Sequence, residues 1–314
     1  MYSFSSDTID YFITFAFMTT IREFQQSASQ RIASLYEASE AQAIVRILLE
    51  ECLQISHTSL LMIDKDTLLS AQILATLEGQ LSRLAEGEPL QYVLGYTYFY
   101  GVRIEVAPGV LIPRPETEEL VELIVEREQG QERRRLLDVG TGSGCIPCAL
   151  ASAWGSRLVA DCMEYSSKAL PTARRNLEDY QRTSGAELSL IHRDLFSCLD
   201  DSPEQPYDLI VSNPPYIHPE EAKEMTSQIL GYEPSTALFA PEHNPIIYYE
   251  EIARLASSGW LASGGHLYME LNPVYAEQTL DSISTILGSR LEHIELVNDL
   301  SGKKRFLCVK TKPL

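Results

Sequence analysis

Leu136-Leu137-Asp138-Val139-Gly140-Thr141-Gly142-Ser143-Gly144 is the stretch on which the fold reading turns. An apolar strand runs into a glycine loop, and the helical Cys145-Ile146-Pro147-Cys148-Ala149-Leu150-Ala151 follows. Glycines at such a junction let the backbone approach a ligand closely and adopt φ > 0. A nicotinamide or flavin site is the first rival, and its fingerprint is G-x-G-x-x-G/A. Counted from Gly140 the third glycine slot holds Cys145, and counted from Gly142 it holds Pro147, so both registers fail.

Outward from this loop, strands and helices alternate from residue 134. Strand candidates are 135–139, 157–163, 187–192, 207–212 and 264–271; helix candidates are 144–153, 166–180, 245–257 and 273–288. That alternation predicts a largely parallel sheet with helices on both faces. The end differs: Leu291 to Val297 and Arg305 to Lys310 are separated by too few residues for a crossover helix, so they should pair antiparallel. Upstream, Ile21, Phe24, Ala28, Ile32 and Leu35 recur at helical spacing, as do Ile44, Ile47, Leu48 and Cys52, and Leu69, Ile73, Leu77, Leu81 and Leu84. Residues 18–88 therefore read as a small helical bundle, 89–114 as a β-hairpin linker and 115–314 as the α/β domain. Pro115 is placed to open a helix, with Glu116, Glu118 and Glu119 in its positive first turn. Arg114 has two readings of equal weight, an ion pair with those glutamates or a place at the mouth of a site.

Asn213-Pro214-Pro215-Tyr216 follows the apolar run Tyr207-Asp208-Leu209-Ile210-Val211-Ser212, where a buried strand meets a loop. Ligands of open α/β sheets bind at such carboxyl ends. The Asn213 side-chain oxygen and a neighbouring backbone carbonyl can accept both N–H bonds of one planar NH2 group. Pro214 and Pro215 have no N–H of their own and fix φ, and the Tyr216 ring can stack on a flat π-system.

The glycine loop resembles the cofactor loop of S-adenosylmethionine-dependent methyltransferases, in which an acid follows the next strand. Glu164, twenty positions beyond Gly144, fits that place; Asp161 falls inside the strand pattern. With Asn-Pro-Pro-Tyr about seventy residues on, the chain is similar to amino methyltransferases acting on adenine N6, cytosine N4 or the glutamine amide. Gly87-Glu88-Pro89-Leu90-Gln91-Tyr92-Val93-Leu94-Gly95, Phe99-Tyr100-Gly101, Leu111-Ile112-Pro113-Arg114-Pro115-Glu116-Thr117-Glu118, Arg193-Asp194-Leu195-Phe196 and Tyr232-Glu233-Pro234-Ser235-Thr236-Ala237-Leu238-Phe239 narrow this further. From roughly Gly87 to Lys310 the sequence resembles the HemK/PrmC peptide chain release factor glutamine methyltransferases. The resemblance implies a class I methyltransferase sheet with its last strand antiparallel, S-adenosyl-L-methionine as cofactor, and the Gly-Gly-Gln glutamine of class I release factors as substrate. It implies a cofactor site of Gly140, Thr141, Gly142, Ser143, Gly144, Glu164, Asp194, Leu195 and Asn213, with Asp194 on the adenine amino group. It implies a substrate site of Asn213, Pro214, Pro215 and Tyr216, of which Asn213, Pro214 and Tyr216 are catalytic, and a substrate-recognition role for the helical domain. Two departures stand out: Glu164 where the family often has Asp, and Pro147 where a small helix former is usual. Pro147 is tolerable in the first turn, where its missing N–H is not needed.

Composition narrows the partner. With 25 Lys and Arg against 44 acidic residues the net charge is −19. Proteins held by duplex phosphates normally present a basic face. The charge therefore disfavours the alternative, an adenine-N6 methyltransferase on DNA or RNA, and suits a protein partner with basic loops. Cys145 and Cys148 are spaced like half a metal or redox site, but they lie in one helix with no second pair, so packing is the expected role. The histidines, His192 and His218 included, have no assigned chemistry. No apolar run reaches the ~20 residues needed to span a bilayer, and the expectation is a cytoplasmic monomer with no metal. No Lys or Arg precedes the short apolar run Tyr11 to Phe17, which argues against a signal peptide. Met18-Thr19-Thr20 makes sense as a native start, so residues 1–17 are set apart as an upstream extension.

Overall fold

Thr20 starts the first helix, α1 (Ile21–Ile32), through a capping box: its hydroxyl accepts from the Glu23 amide and the Glu23 carboxylate accepts from the Thr20 amide. Helices α2 (Ala38–Leu53), α3 (His57–Met62) and α4 (Ala71–Ala85) follow, the last two capped by Ser56 and Ser70. Ile21, Phe24, Ala28 and Ile32 pack with Leu48, Leu77, Leu81 and Leu84 in one core. In α2 the buried stripe is Ala41, Ile44, Val45, Leu48 and Leu49, the spacing an amphipathic helix requires. Ile47 and Cys52, expected in it, are half-buried, and Leu35 lies beyond the end of α1 and is exposed. The computed structural model describes residues 19–130, 132–198 and 201–313, so the stretch 1–17 lies outside it.

The chain divides into two compact units at Leu94/Gly95. The segment expected to be all hairpin opens with a one-turn helix, α5 (Leu90–Leu94), in the first unit. The hairpin itself is shorter, β1 (Tyr96–Phe99) with β2 (Val102–Glu105). Its two-residue turn holds Tyr100 and Gly101 at φ 46° and 74°, the geometry that matches strand twist.

In the second unit α6 (Pro115–Arg127) begins at Pro115 as expected. There follow β3 (Arg134–Val139), α7 (Cys145–Trp154), β4 (Leu158–Glu164), α8 (Leu170–Ser184), β5 (Glu187–His192) and β6 (Tyr207–Ser212). Then come α9 (Ser227–Tyr232), α10 (Ser235–Leu238), α11 (Ile247–Leu255), β7 (Leu261–Glu270), α12 (Ala276–Leu287), β8 (Leu291–Asn298) and β9 (Lys304–Thr311). Helix α8 starts four residues later than the apolar pattern predicts, which puts Pro171 in its first turn, where no amide is needed. The sheet order is β5-β4-β3-β6-β7-β9-β8. Strands β3 to β7 are parallel, and β9 inserts antiparallel between β7 and β8. This is the mostly parallel sheet with a reversed last strand. Helix α6 packs on α7 and α7 on α8, and α11 packs on α12. Among the described residues no helix is long and apolar enough to cross a membrane.

Candidate active site

Strand β3 lies between β4 and β6, so the chain leaves it in opposite directions in the two halves of the sheet. Such a switch point opens a crevice at the carboxyl ends of the strands. A cavity of about 340 Å³ sits there, lined from every flanking loop, including Gly140 to Ser143, Glu164, Asp194 to Phe196 and Asn213. Its volume is in the range of small-molecule sites.

Gly140, Gly142 and Gly144 have φ of 76°, 57° and 79°, conformations that L side chains rarely adopt. A Cβ on Gly140 would meet nothing within 4 Å, so backbone conformation rather than crowding demands glycine there. The amides of Gly140 and Thr141 both donate to the Met163 carbonyl at 2.9 Å, which ties the loop to β4.

Glu164 is the last residue of β4, one position earlier in the architecture than the sequence pattern placed it. Its Oε2 accepts from the Gly142 amide at 2.8 Å and its Oε1 from the Ser166 amide at 2.6 Å. Each oxygen keeps a second lone pair. The competing acid, Asp161, does not line the cavity; it accepts from the Tyr207 hydroxyl at 2.7 Å. Beneath the loop, buried Asp138 accepts from the Thr141 hydroxyl. Burial raises its carboxyl to about 7 against the Thr141 bond, and the nearby Glu164 charge adds to the rise.

Asp194 lines the cavity, and its Oδ1 accepts from the Phe196 amide at 3.0 Å. Phe196 meets Tyr248 edge-on with ring centroids 5.6 Å apart. Tyr165 lines the same end, so the cavity has aromatic walls that no sequence motif announced beyond Phe196.

At the other end Asn213 Nδ2 donates to Thr117 Oγ1 at 2.9 Å. The Thr117 hydroxyl donates in turn to Glu270 Oε2 at 2.7 Å, and the Tyr216 hydroxyl donates to Glu270 Oε1 at 3.0 Å. The Asn213 nitrogen is thus occupied, and its carbonyl oxygen remains as an acceptor beside the buried Pro214. Tyr216 departs from expectation. It is absent from the cavity lining, and its ring packs against the sheet core. A half-buried phenol packed on the core needs a partner for its O–H, and the fully buried Glu270 supplies it. Burial pushes both the Glu270 carboxyl and the Tyr216 phenol upward.

Arg114 lines the cavity, and its ion-pair partner is Glu233 at 2.5 Å, not the glutamates of its own helix. Glu233 also accepts from the Ile112 amide at 3.1 Å. Cys145 lines the cavity with its thiol pushed up to about 12 by burial, and burial likewise raises the Cys148 thiol. Both are neutral helix residues at ordinary pH. His192 contacts the Tyr165 carbonyl and His218 accepts from the Glu220 amide; neither lines the cavity.

Comparison with known proteins shows the family to which the sequence is related. The PrmC N-terminal domain matches residues 23–95, and the methyltransferase small domain matches residues 115–236. A release factor glutamine methyltransferase of Bacteroides thetaiotaomicron is 39% identical over 278 residues, covering 88% of this chain and 95% of the relative. The chain belongs to the release factor glutamine methyltransferase family. Another relative of that name, from Flavobacterium psychrophilum, is 32% identical over 292 residues, covering 92% of this chain and 98% of its own. A solved release factor-specific protein-(glutamine-N5) methyltransferase of Alicyclobacillus acidocaldarius is 25% identical, with a TM-score of 0.39 over 67% of this chain and 100% of that one.

Within this family member, Thr117 at the cavity and Glu233 and Glu270 behind its lining are the residues that the motif reading did not single out. Thr117 and Glu233 lie inside segments that carried the family resemblance, but their partners are distant in sequence. Glu270 had one available signal: an acid ending the strand next to β6, at the same edge of the sheet as Asn213.

Proposed function

We propose that this chain transfers a methyl group from S-adenosylmethionine to the side-chain nitrogen of the glutamine in the Gly-Gly-Gln motif of class I peptide chain release factors. The observation that carries the reading is the Asn213 side chain, whose nitrogen is held by Thr117 so that its oxygen is left to accept an N–H in the cavity. An enzyme that must grip an NH2 group needs acceptors at that point, and Asn213 Oδ1 with the Pro214 carbonyl supplies two.

The residues present fit the cofactor. Gly140 and Gly142 bring bare backbone to the cavity, whereas Gly144 is absent from the lining and faces Leu177 of α8. Glu164 offers a carboxylate to ribose hydroxyls, and Asp194 with Leu195 and Phe196 suits an adenine ring. When bound, the cofactor supplies an electrophilic methyl on a sulfonium. The difficulty lies with the nucleophile, since the amide lone pair is delocalised into its carbonyl. Asn213 and Pro214 hold both N–H bonds, place the nitrogen, and stabilise the positive charge that grows on it, which is preorganisation aimed at the transition state. Proximity in the cavity contributes further. An alkylated amide cation loses its proton readily, so the mechanism needs no strong base. Tyr216 acts here by packing behind the clamp, not by stacking on substrate.

The helical unit ending near Leu94 is the proposed recognition domain, and the acidic chain suits the basic loops of a protein substrate. The setting is the cytoplasm and the working form a monomer. The test is incubation with methyl-labelled S-adenosylmethionine and, separately, a release factor and DNA. Label should enter the release factor and be lost when its Gly-Gly-Gln glutamine is replaced. Labelling of adenine in DNA with none in the release factor would overturn the assignment.

A further inference from the structure

We propose that Thr117 is a positioning residue that fixes which end of the Asn213 amide faces the substrate, because its single hydroxyl proton is committed to Glu270. The inference rests on the reading of Asn213 as an acceptor and adds the device that enforces it. A primary amide can occupy such a site in either orientation, and the two differ by exchanging an acceptor for two donors. Only one is useful: an Asn213 that turned its NH2 into the cavity would repel the N–H bonds it has to hold.

The direction follows from a chain of donors. Glu270 is fully buried at the end of β7 and receives a hydroxyl on each oxygen, Thr117 on one and Tyr216 on the other. Two hydroxyl donors suit a carboxylate, which only accepts. Around it stand Glu116 of α6, Cys145 of α7, Tyr249 of α11 and Arg305 of β9. Burial raises the carboxyl; the two hydroxyls and then Arg305 work against that rise. With its proton directed at Glu270, the Thr117 oxygen can only accept, and Asn213 must turn its nitrogen there at 2.9 Å. Thr117 is 2% exposed, so no solvent donor competes at this position. The same polarity selects among substrates: a cavity that presents acceptors takes a glutamine amide and turns away the carboxylate of glutamate.

The experiment measures single-turnover methylation of a release factor, with cofactor affinity and melting temperature measured alongside. Thr117→Val keeps shape and removes the hydroxyl. Its rate should fall about 10- to 100-fold, the scale of a misplaced reacting group, with cofactor affinity unchanged because the glycine loop is untouched. Thr117→Ser, which keeps the hydroxyl, should restore a rate close to wild type, and Thr117→Ala should fall with Val. In an Asn213→Ala background Thr117→Val should cost nothing further, which a general loss of packing would not give. If Asn213→Ala is inactive while Thr117→Val and Thr117→Ala turn over like wild type, the positioning role is wrong and the acceptor reading stands. If Asn213→Ala is itself fully active, the acceptor reading fails and takes this proposal with it.

Discussion

Arg114 and Glu233, 119 residues apart in sequence, are joined by a hydrogen-bonded ion pair of 2.5 Å at the cavity wall. The pair ties the segment that leads into α6 to the segment that leads into α10. Glu233 is the buried partner, with 1% of its side chain exposed against 29% for Arg114.

Removing the cation is therefore the harsher change. Arg114→Ala leaves a carboxylate out of water beside the Ile112 amide. It should cost about 1–3 kcal/mol, the penalty for a stranded buried charge discounted for the partial exposure of the arginine. Glu233→Gln keeps an acceptor for Ile112 and should cost less. Urea unfolding checks the order; equal midpoints for wild type and Arg114→Ala would show that the pair is not a tie.

For the acceptor clamp, Asn213→Ala should reduce methylation by about two to three orders of magnitude, the usual cost of one well-placed transition-state partner. Asn213→Asp keeps an oxygen and should retain more activity than Ala. Tyr216→Phe removes one of the two hydroxyls on Glu270 but keeps the packing ring, and should be milder than Tyr216→Ala. Single-turnover assays with a release factor measure all four, and a wild-type rate for Asn213→Ala would leave the residue as a turn former only.

Glu164 holds the Gly142 and Ser166 amides, and in the proposed function its remaining lone pairs go to the ribose. Glu164→Ala should weaken binding of the demethylated cofactor by roughly 10- to 150-fold, the equivalent of about 1.5–3 kcal/mol for hydrogen bonds to a charged group. Glu164→Asp keeps the charge and should fall between the two. Calorimetric titration decides, and an undiminished affinity in the Ala variant would move the ribose site elsewhere.

Asp138 makes stability depend on pH in an unusual direction. Its carboxyl is raised from 3.8 to about 7 in the fold. Between those values the unfolded chain has released the proton and the native state still holds it. Stability therefore declines as pH rises through this window and levels off above about 7, a contribution of a few kcal/mol at most. Asp138→Asn should lack that component. Chemical unfolding of both proteins from pH 4 to 8 measures the difference, and parallel curves would assign the titration to other groups.

The sheet and its loops were legible because strand–glycine–helix and strand–Asn-Pro-Pro are local signals, each carried within about ten residues. Asn213 and Glu164 reached the cavity for that reason. The direction of Tyr216 was not legible, since it depends on Glu270 arriving from β7, 54 residues later. Thr117 is likewise joined to Glu270 across 153 residues. The short helix α5 was lost because its five residues are too few to show a period. The positive φ of Tyr100 in the hairpin turn was not legible either, since its neighbours do not specify it.

The place of β9 bears on how the protein emerges during synthesis. Lys304–Thr311 is made after β8 yet lies between β8 and β7. A growing chain that has not reached Lys304 presents the β7 edge, which ends in Glu270, with its ladder groups unpaired. Arg305, the cation beside Glu270, comes with the same strand. The surroundings of Glu270 are thus completed only after the glycine loop and Asn213 have long left the ribosome, and a transcript truncated before codon 304 encodes a sticky edge in place of an enzyme.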